Sequence, residues 1–254
     1  MESLLNSLAK ERLYSAKKIV VLTGAGISAE SGIPTFRDTD GIWTKISSEE
    51  MASFDAFYKN TAIVSELYKK RRTIIEKTKP NDGHIALAKL GHLIPSINII
   101  TQNIDGLHSK AGSKNVIEIH GNIMQNYCID CKKDYTCQEF DEIFEADSMH
   151  IPKCLCGGLI RPNVVWFGEQ LPQEALEKSF YLAEKADVFL AIGTSAQVRP
   201  AADLPIVALQ NGAYLIEINR TRTGLTSYTH LNLNGKSSEI LPKLLKEIEL
   251  NLHH

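Results

Sequence analysis

The stretch Ile19-Val20-Val21-Leu22-Thr23-Gly24-Ala25-Gly26 decides the fold of this chain. Its four leading apolar residues form a continuous run, which is typical of a strand that is buried on both faces of a parallel sheet. The Gly-x-Gly sequence that follows can open a helix and let backbone N–H groups approach a phosphate closely. Because such a turn also occurs as simple punctuation after a strand, the motif alone leaves nucleotide binding open.

Four further apolar runs predict buried strands of the same kind, at 97–100, 116–119, 188–192 and 214–218. Helical patterns separate them, at about 86–93, 173–186, 201–210 and 239–250. This alternation predicts an α/β fold with a Rossmann-like parallel sheet. Two polar stretches interrupt it and predict insertions into one domain, a helical module at about 38–83 and a small cysteine-containing module at about 122–160. The core is then expected at about 1–37, 84–121 and 161–254.

Composition excludes several classes of protein. The 254 residues are 43% hydrophobic, which is too apolar for a disordered chain. The chain has 28 Lys and Arg residues and 30 Asp and Glu residues, so it has no overall positive field to hold nucleic acid or an anionic membrane. No apolar run approaches the roughly 18 residues of a membrane helix, and no signal or transit pattern is present. A cytoplasmic location is therefore expected.

The cysteines cluster in a way that predicts a metal site. Cys128 and Cys131 form one pair, and Cys154 and Cys156 form a second. Two such pairs are typical of a closed structural Zn²⁺ site, whereas five cysteines are too few for a disulfide scaffold of this length. The second pair is Cys-x-Cys, so Cys137 is open as a substitute ligand. Free cytosolic thiols are the alternative.

Polar residues follow the predicted strands at their carboxyl ends, where open α/β sheets bind ligands. His120 comes directly after one run with Gly121 behind it, so its imidazole can face the cleft as a general base. His108 is the rival candidate. The segment 30–38 is loop-like and offers no second strand, which argues against an ordinary NAD(P)-linked oxidoreductase. It is better interpreted as a lid over the turn at Gly24.

The segments at 24–37, 101–108, 120–121, 161–169, 193–202 and 217–219 together resemble the sirtuins, which are NAD-dependent protein lysine deacylases. They occur in the family's order and cover nearly the whole chain. The resemblance implies NAD as cosubstrate, structural Zn²⁺ on the cysteine pairs, and acylated proteins or peptides as substrates. The implied products are nicotinamide, free lysine and O-acyl-ADP-ribose. Mono-ADP-ribosyl transfer is the alternative within the family, and a non-catalytic zinc interaction module is the alternative outside it.

The resemblance also implies roles for individual residues. Asn103 and Asp105 would hold the nicotinamide, and His120 would deprotonate a ribose hydroxyl. The peptide would lie along Val165, Phe167, Gly168, Glu169 and Val198. The implied cofactor-binding residues are Gly24, Ala25, Gly26, Phe36, Arg37, Gln102, Asn103, Ile104, Asp105, Gly193, Thr194, Ser195, Asn219 and Ser237.

One pair in the helical insertion concerns the choice of acyl group. Tyr68 and Arg71 stand at i and i+3 and share one face of a helix. A solvated basic helix is the ordinary interpretation, but the Tyr-x-x-Arg pattern resembles the sirtuin subgroup that removes succinyl and malonyl groups. Ala52 falls where that subgroup has a small residue in the acyl pocket. We therefore expect activity on succinyl- and malonyl-lysine at least equal to that on acetyl-lysine.

Overall fold

The structure is a computed structural model that describes residues 4–34, 52–94 and 96–252. Its strands are β1 (Lys18–Thr23), β2 (Ser96–Thr101), β3 (Val116–Glu118), β4 (Gly121–Cys128), β5 (Asp134–Tyr135), β6 (Ile160–Val164), β7 (Val188–Ile192), β8 (Tyr214–Asn219) and β9 (Leu231–Asn234). Its helices are α1 (Ser7–Ser15), α2 (Ala25–Ala29), α3 (Phe54–Lys59), α4 (Thr61–Lys77), α5 (Asp82–Leu93), α6 (Leu107–Lys110), α7 (Cys137–Ala146), α8 (Gln173–Glu184), α9 (Leu204–Gln210) and α10 (Ser237–Leu252).

The large sheet has six strands in the order β3-β2-β1-β7-β8-β9, and every neighbouring pair is parallel. Apolar side chains of β1 alternate between two cores, with Ile19 and Val21 packed on one face and Val20 and Leu22 on the other. This two-sided burial explains the continuous apolar runs of the sequence. The Rossmann-like α/β fold predicted from those runs is confirmed.

One strand of the sheet and one helix differ from the sequence prediction. The edge strand β9 was not predicted, because its residues alternate between polar and apolar and form no continuous run. The helix expected at 201–210 divides into a 3₁₀ turn at Ala201–Asp203 and the helix α9. Pro205 lies in the first turn of α9, where its missing N–H costs no hydrogen bond.

The small module contains the antiparallel sheet β5-β4-β6 and helix α7. Its sheet extends to Val164, past the boundary expected at 160, because β6 pairs with β4 along its length. Two ion pairs, Lys69 with Glu145 and Arg72 with Asp141, join α4 of the helical insertion to α7. In the ranges that the structure describes, no helix has the length and apolarity needed to cross a membrane.

Candidate active site

Backbone groups at the ends of β1 and β7 form a glycine-lined turn at the carboxyl edge of the large sheet. The N–H of Gly24 donates to the carbonyl of Ile192 at 3.1 Å, and that of Gly26 donates to the carbonyl of Gly193 at 2.8 Å. A Cβ atom on Gly26 would lie 2.7 Å from the Gly193 carbonyl oxygen, so no side chain fits there. Glycine therefore lets the turn after β1 pack directly against the turn after β7, at the sheet edge where a Rossmann-like fold binds a pyrophosphate, which suits NAD.

Side chains from neighbouring strands complete this cradle. Asn219 at the end of β8 donates to the Thr194 carbonyl at 2.8 Å, and Gln102 after β2 donates to the Thr194 hydroxyl at 2.9 Å. The N–H of Gly235 donates to the Asn219 carbonyl at 3.0 Å, which brings the start of α10 to the same edge. There Ser237 is buried, and in the described part of the chain its hydroxyl has no hydrogen-bond partner.

Next to the glycine turn, Asn103 belongs to a buried hydrogen-bond network. Its side-chain amide donates to the Gly24 carbonyl and to the Ser28 hydroxyl, both at 3.1 Å. Its backbone N–H donates to the Thr101 hydroxyl, also at 3.1 Å. These bonds on both the backbone and the side chain hold the amide in one orientation.

Two buried histidines extend this network. His84 Nε2 lies 3.5 Å from the Ser28 hydroxyl, and His108 Nε2 lies 2.9 Å from the Thr23 hydroxyl. Their ring centroids are 4.9 Å apart. Burial lowers the pKa of His84 to about 4, and burial together with the neighbouring His84 lowers the pKa of His108 to about 3. Both rings are therefore neutral at pH 7 and serve as hydrogen-bonding groups rather than charges.

Asp105 is buried beside Asn103 in sequence and points its carboxylate at the start of α6. One carboxylate oxygen accepts the Leu107 N–H at 2.9 Å. Burial raises the pKa of Asp105, while the bonds to Leu107 and Ser28 and the charge of Arg71 work in the opposite direction. Ile104 stands between Asn103 and Asp105 in the chain, and its carbonyl accepts the Ile123 N–H at 2.9 Å, which anchors this loop to β4.

His120 lies between β3 and β4, and one of its ring nitrogens has a hydrogen-bond partner in the protein. Its Nδ1 is 2.9 Å from the Gln102 carbonyl, which can only accept a hydrogen bond. Nδ1 therefore carries the proton, and Nε2 has a lone pair available as a base. Burial lowers the pKa of His120, so the ring is neutral at pH 7. The following Gly121 has φ of 80°, and a Cβ there would lie 2.1 Å from the Asn163 carbonyl oxygen.

The four predicted zinc ligands come together in the small module. The Sγ atoms of Cys128 and Cys156 are 3.5 Å apart, and those of Cys131 and Cys154 are 3.6 Å apart. All four sulfur atoms lie within 4.8 Å of one another. A tetrahedral Zn²⁺ with bonds of about 2.3 Å needs sulfurs about 3.8 Å apart, so the cluster fits a closed structural site.

Cys137 lies outside this group of four. It begins helix α7, and its thiol donates to the Met124 carbonyl at 3.0 Å. Both sulfurs of the short Cys-x-Cys pair reach the cluster because the backbone turns tightly after Cys156. Gly157 has φ of 93°, and a Cβ on Gly158 would lie 2.8 Å from the Cys128 sulfur. The geometry therefore favours Cys156 over Cys137 as the fourth ligand.

The three residues expected at the acyl group lie in one region. Ala52 and Tyr68 pack in the same apolar cluster, which also contains Phe57 and Trp166. The Trp166 indole N–H donates to the Tyr68 hydroxyl oxygen at 2.8 Å. Arg71 is partly buried, and its charge interacts with both Tyr68 and Asp105. The acyl residues thus adjoin the network around Asp105.

The turn expected to hold the peptide follows β6. Its residues bond to the surrounding site, since the Val165 N–H donates to the His120 carbonyl at 2.9 Å and the Phe167 N–H donates to the Ala52 carbonyl at 2.8 Å. Phe167 itself is 44% exposed. A cavity of about 480 Å³ borders the turn at Val164, Val165, Gly168 and Glu169. Val198 is exposed on the loop after β7.

A model of the Sir2 family matches residues 24–200, a span that contains the glycine turn of the cradle, Asn103, His120 and the cysteine cluster. The chain belongs to the Sir2 family. It is 49% identical to an NAD-dependent protein deacylase of Aquifex aeolicus over 89% of this chain and 93% of that protein. Among solved structures it is similar to a Sir2 homologue in complex with NAD, with a TM-score of 0.90, 40% identity and coverage of 98% and 96%. It is also similar to a Sir2 protein with a p53 peptide and NAD, with a TM-score of 0.87, 36% identity and coverage of 96% and 98%.

Membership of the Sir2 family confirms the resemblance to sirtuins found in the sequence. The structure brings the described residues among those expected to bind the cofactor to one edge of the sheet, including Ala25 at the start of α2 and Ser195 after β7. Phe36 and Arg37 lie outside the described residues. The sequence predicts no role for His84, Ser28 or Trp166, although the structure places all three in the site. No local pattern marks them, because each acts through a partner distant in the chain.

Proposed function

We propose that this Sir2-family chain removes acyl groups from protein lysine side chains with NAD as cosubstrate, and that it acts on succinyl- and malonyl-lysine at least as well as on acetyl-lysine. Family membership and the names of its relatives confirm the deacylase class that the sequence predicts. The acyl preference rests on one observation. The buried phenol of Tyr68 interacts with the partly buried guanidinium of Arg71 and accepts a hydrogen bond from the Trp166 indole.

The chemistry of this pair favours an acyl group that ends in a carboxylate. Burial lowers the pKa of Arg71, which means that its charge has lost part of its hydration. A succinyl or malonyl carboxylate would offer the planar guanidinium an opposite charge with matching geometry. An acetyl group has no such oxygen. The pair therefore adds affinity for acidic acyl groups alone.

The remaining site residues serve the reaction at the ribose. When bound, NAD would supply the ribose whose hydroxyl oxygen takes the acyl group as nicotinamide leaves. We assign Gly24, Gly26 and Asn219 to its phosphates and ribose, because they form the close-packed cradle at the carboxyl edge of the sheet. Asn103 and Asp105 hold the nicotinamide amide, because both are buried polar groups whose orientation is fixed.

His120 is the proposed general base. Its Nδ1 proton is held by the Gln102 carbonyl, so Nε2 is the atom that accepts a proton from a ribose hydroxyl. The lowered pKa keeps this nitrogen unprotonated at neutral pH. A positioned base of this kind contributes about 10²- to 10⁴-fold in rate.

An extended peptide fits the turn at Val165, Phe167, Gly168 and Glu169, with Val198 on the other side, as an added strand. The similar structure that holds a p53 peptide and NAD supports a peptide or protein substrate. Main-chain bonding of this kind accepts many sequences, so we propose broad peptide tolerance. None of the five cysteines, all of which the structure describes, forms a disulfide bond, which suits a reducing compartment, and the proposed location is the cytoplasm.

The test compares one peptide carrying succinyl-, malonyl- or acetyl-lysine, with NAD and product detection by mass spectrometry. Wild-type kcat/KM on the acidic acyl groups should equal or exceed that on acetyl. Arg71→Met should lower desuccinylation about 10- to 100-fold, since it removes a charge-assisted hydrogen bond, and should lower deacetylation by less than about threefold. The control is Lys70→Met, which removes an exposed charge from the same helical turn. Equal losses on both substrates, or a wild-type enzyme inactive on succinyl-lysine, would contradict the acyl assignment.

A further inference from the structure

The indole of Trp166 is held rigidly although it lies in the turn after β6 that is expected to hold the peptide. It is 2% exposed. The Arg161 guanidinium lies over the ring at 3.4 Å from its centroid, and the ring of Phe57 packs at 5.0 Å. The Trp166 backbone N–H donates to the Glu169 carboxylate at 2.8 Å. These contacts fix both the position and the plane of the indole.

The indole's single polar atom bonds Tyr68. Trp166 Nε1 lies 2.8 Å from the Tyr68 hydroxyl oxygen. An indole N–H can only donate, so the phenol oxygen must accept this bond. The phenol's own hydrogen therefore points away from Trp166 and is available to a different acceptor.

The phenol retains its hydrogen under ordinary conditions. Tyr68 is 6% exposed, and burial is the largest influence on its pKa, which is raised above the usual value. The charge of Arg71 and the bond from Trp166 act in the opposite direction but do not reverse the shift. At neutral pH the site therefore presents a phenol O–H, a guanidinium beside it, and an indole that prevents the O–H from turning back.

We propose that Trp166 is a positioning residue for acyl selectivity, whose N–H occupies the Tyr68 oxygen and directs the phenol hydrogen toward the carboxylate of a succinyl or malonyl group. This inference rests on the proposed function. Without the indole N–H, the phenol could rotate and present a lone pair to the substrate carboxylate, which is repulsive. An acetyl group carries no oxygen at that position and is indifferent to the phenol's orientation.

The decisive variant is Trp166→Phe, which keeps an aromatic ring and removes the N–H. We expect the ratio of desuccinylation to deacetylation kcat/KM to fall about three- to tenfold, mainly through KM for the succinyl substrate. Tyr68→Phe removes the same hydroxyl that Trp166 orients. The double variant should therefore lose no more desuccinylation than Tyr68→Phe alone, since both changes act through one bond.

The outcomes separate this inference from the proposed function. A wild-type enzyme inactive on succinyl-lysine refutes the proposed function and the inference with it. Two outcomes refute the inference alone, provided that the wild-type enzyme desuccinylates. In the first, Trp166→Phe lowers desuccinylation and deacetylation equally. In the second, the double variant shows the full losses of Trp166→Phe and Tyr68→Phe added together. If Trp166→Phe does not fold, 3-benzothienylalanine at position 166 replaces the N–H by sulfur at similar volume. The same selective loss is then expected, and an unchanged preference for succinyl-lysine refutes the inference.

Discussion

Replacing Glu169 by glutamine should destabilise the protein strongly, because it leaves a buried charge without its partner. The Arg161 side chain is 1% exposed, and its guanidinium bonds both carboxylate oxygens of Glu169 as well as the Val164 carbonyl at 2.6 Å. A glutamine at this position would keep the shape of the side chain but would turn an NH₂ group or a neutral oxygen toward the guanidinium. The Arg161 charge would then be compensated by neutral acceptors only.

The size of the effect follows from burial. Removing one partner of a buried ion pair costs about 3–5 kcal/mol. The Glu169 side chain is 24% exposed, so water can partly replace its carboxylate, and we expect the lower limit of about 3 kcal/mol. For a chain of this size, each kcal/mol lowers Tm by about 2–4 °C, which gives a decrease of about 6–12 °C. Activity on every acyl group should also fall, because Glu169 holds the Trp166 backbone.

The assay is thermal unfolding of the wild type, Glu169→Gln and the matched variant Glu145→Gln. Glu145 pairs with Lys69 but its side chain is 67% exposed, so the same chemical change there should cost less than about 1 kcal/mol. A Tm decrease for Glu169→Gln that is no greater than that for Glu145→Gln would show that the Arg161 charge does not depend on its buried partner, and the reasoning would be wrong.

Two further predictions concern the base and the metal. His120→Ala should lower turnover by about 10²- to 10⁴-fold, and retention of more than a few per cent of wild-type turnover would remove the assigned role. A base acts when it is unprotonated, and burial lowers the pKa of His120. Wild-type kcat/KM should therefore stay level near pH 7 and decline only as pH falls through that lowered pKa, below about 6.5. The control variant His92→Gln, which changes an exposed histidine, should show the same profile. Elemental analysis should find one Zn²⁺ per chain in the wild type and in Cys137→Ser. Cys156→Ser should lose the metal and unfold at a lower Tm. The reverse pattern would show that Cys137 is the ligand.

The sequence was sufficient wherever the deciding pattern is local. The apolar runs identified five of the six strands of the large sheet, because burial on both faces of a parallel strand is written into consecutive residues. Glycine spacing marked the cradle, and His120 could be selected because it directly follows a strand. The paired spacing of the cysteines indicated zinc, since ligand chemistry and turn length are both local properties.

The tertiary structure decided what depends on residues far apart in the chain. Tyr68 and Trp166 are 98 positions apart, and the direction of the hydrogen bond between them exists only after the helical insertion packs on β6. In the same way, His84 meets Ser28 across 56 positions, and Cys156 prevails over Cys137 because the turn at Gly157 carries it to the other sulfurs. Periodicity reports which face of an element is buried, but it does not report which side chain of another element lies against that face. That choice is made by close packing of the whole chain.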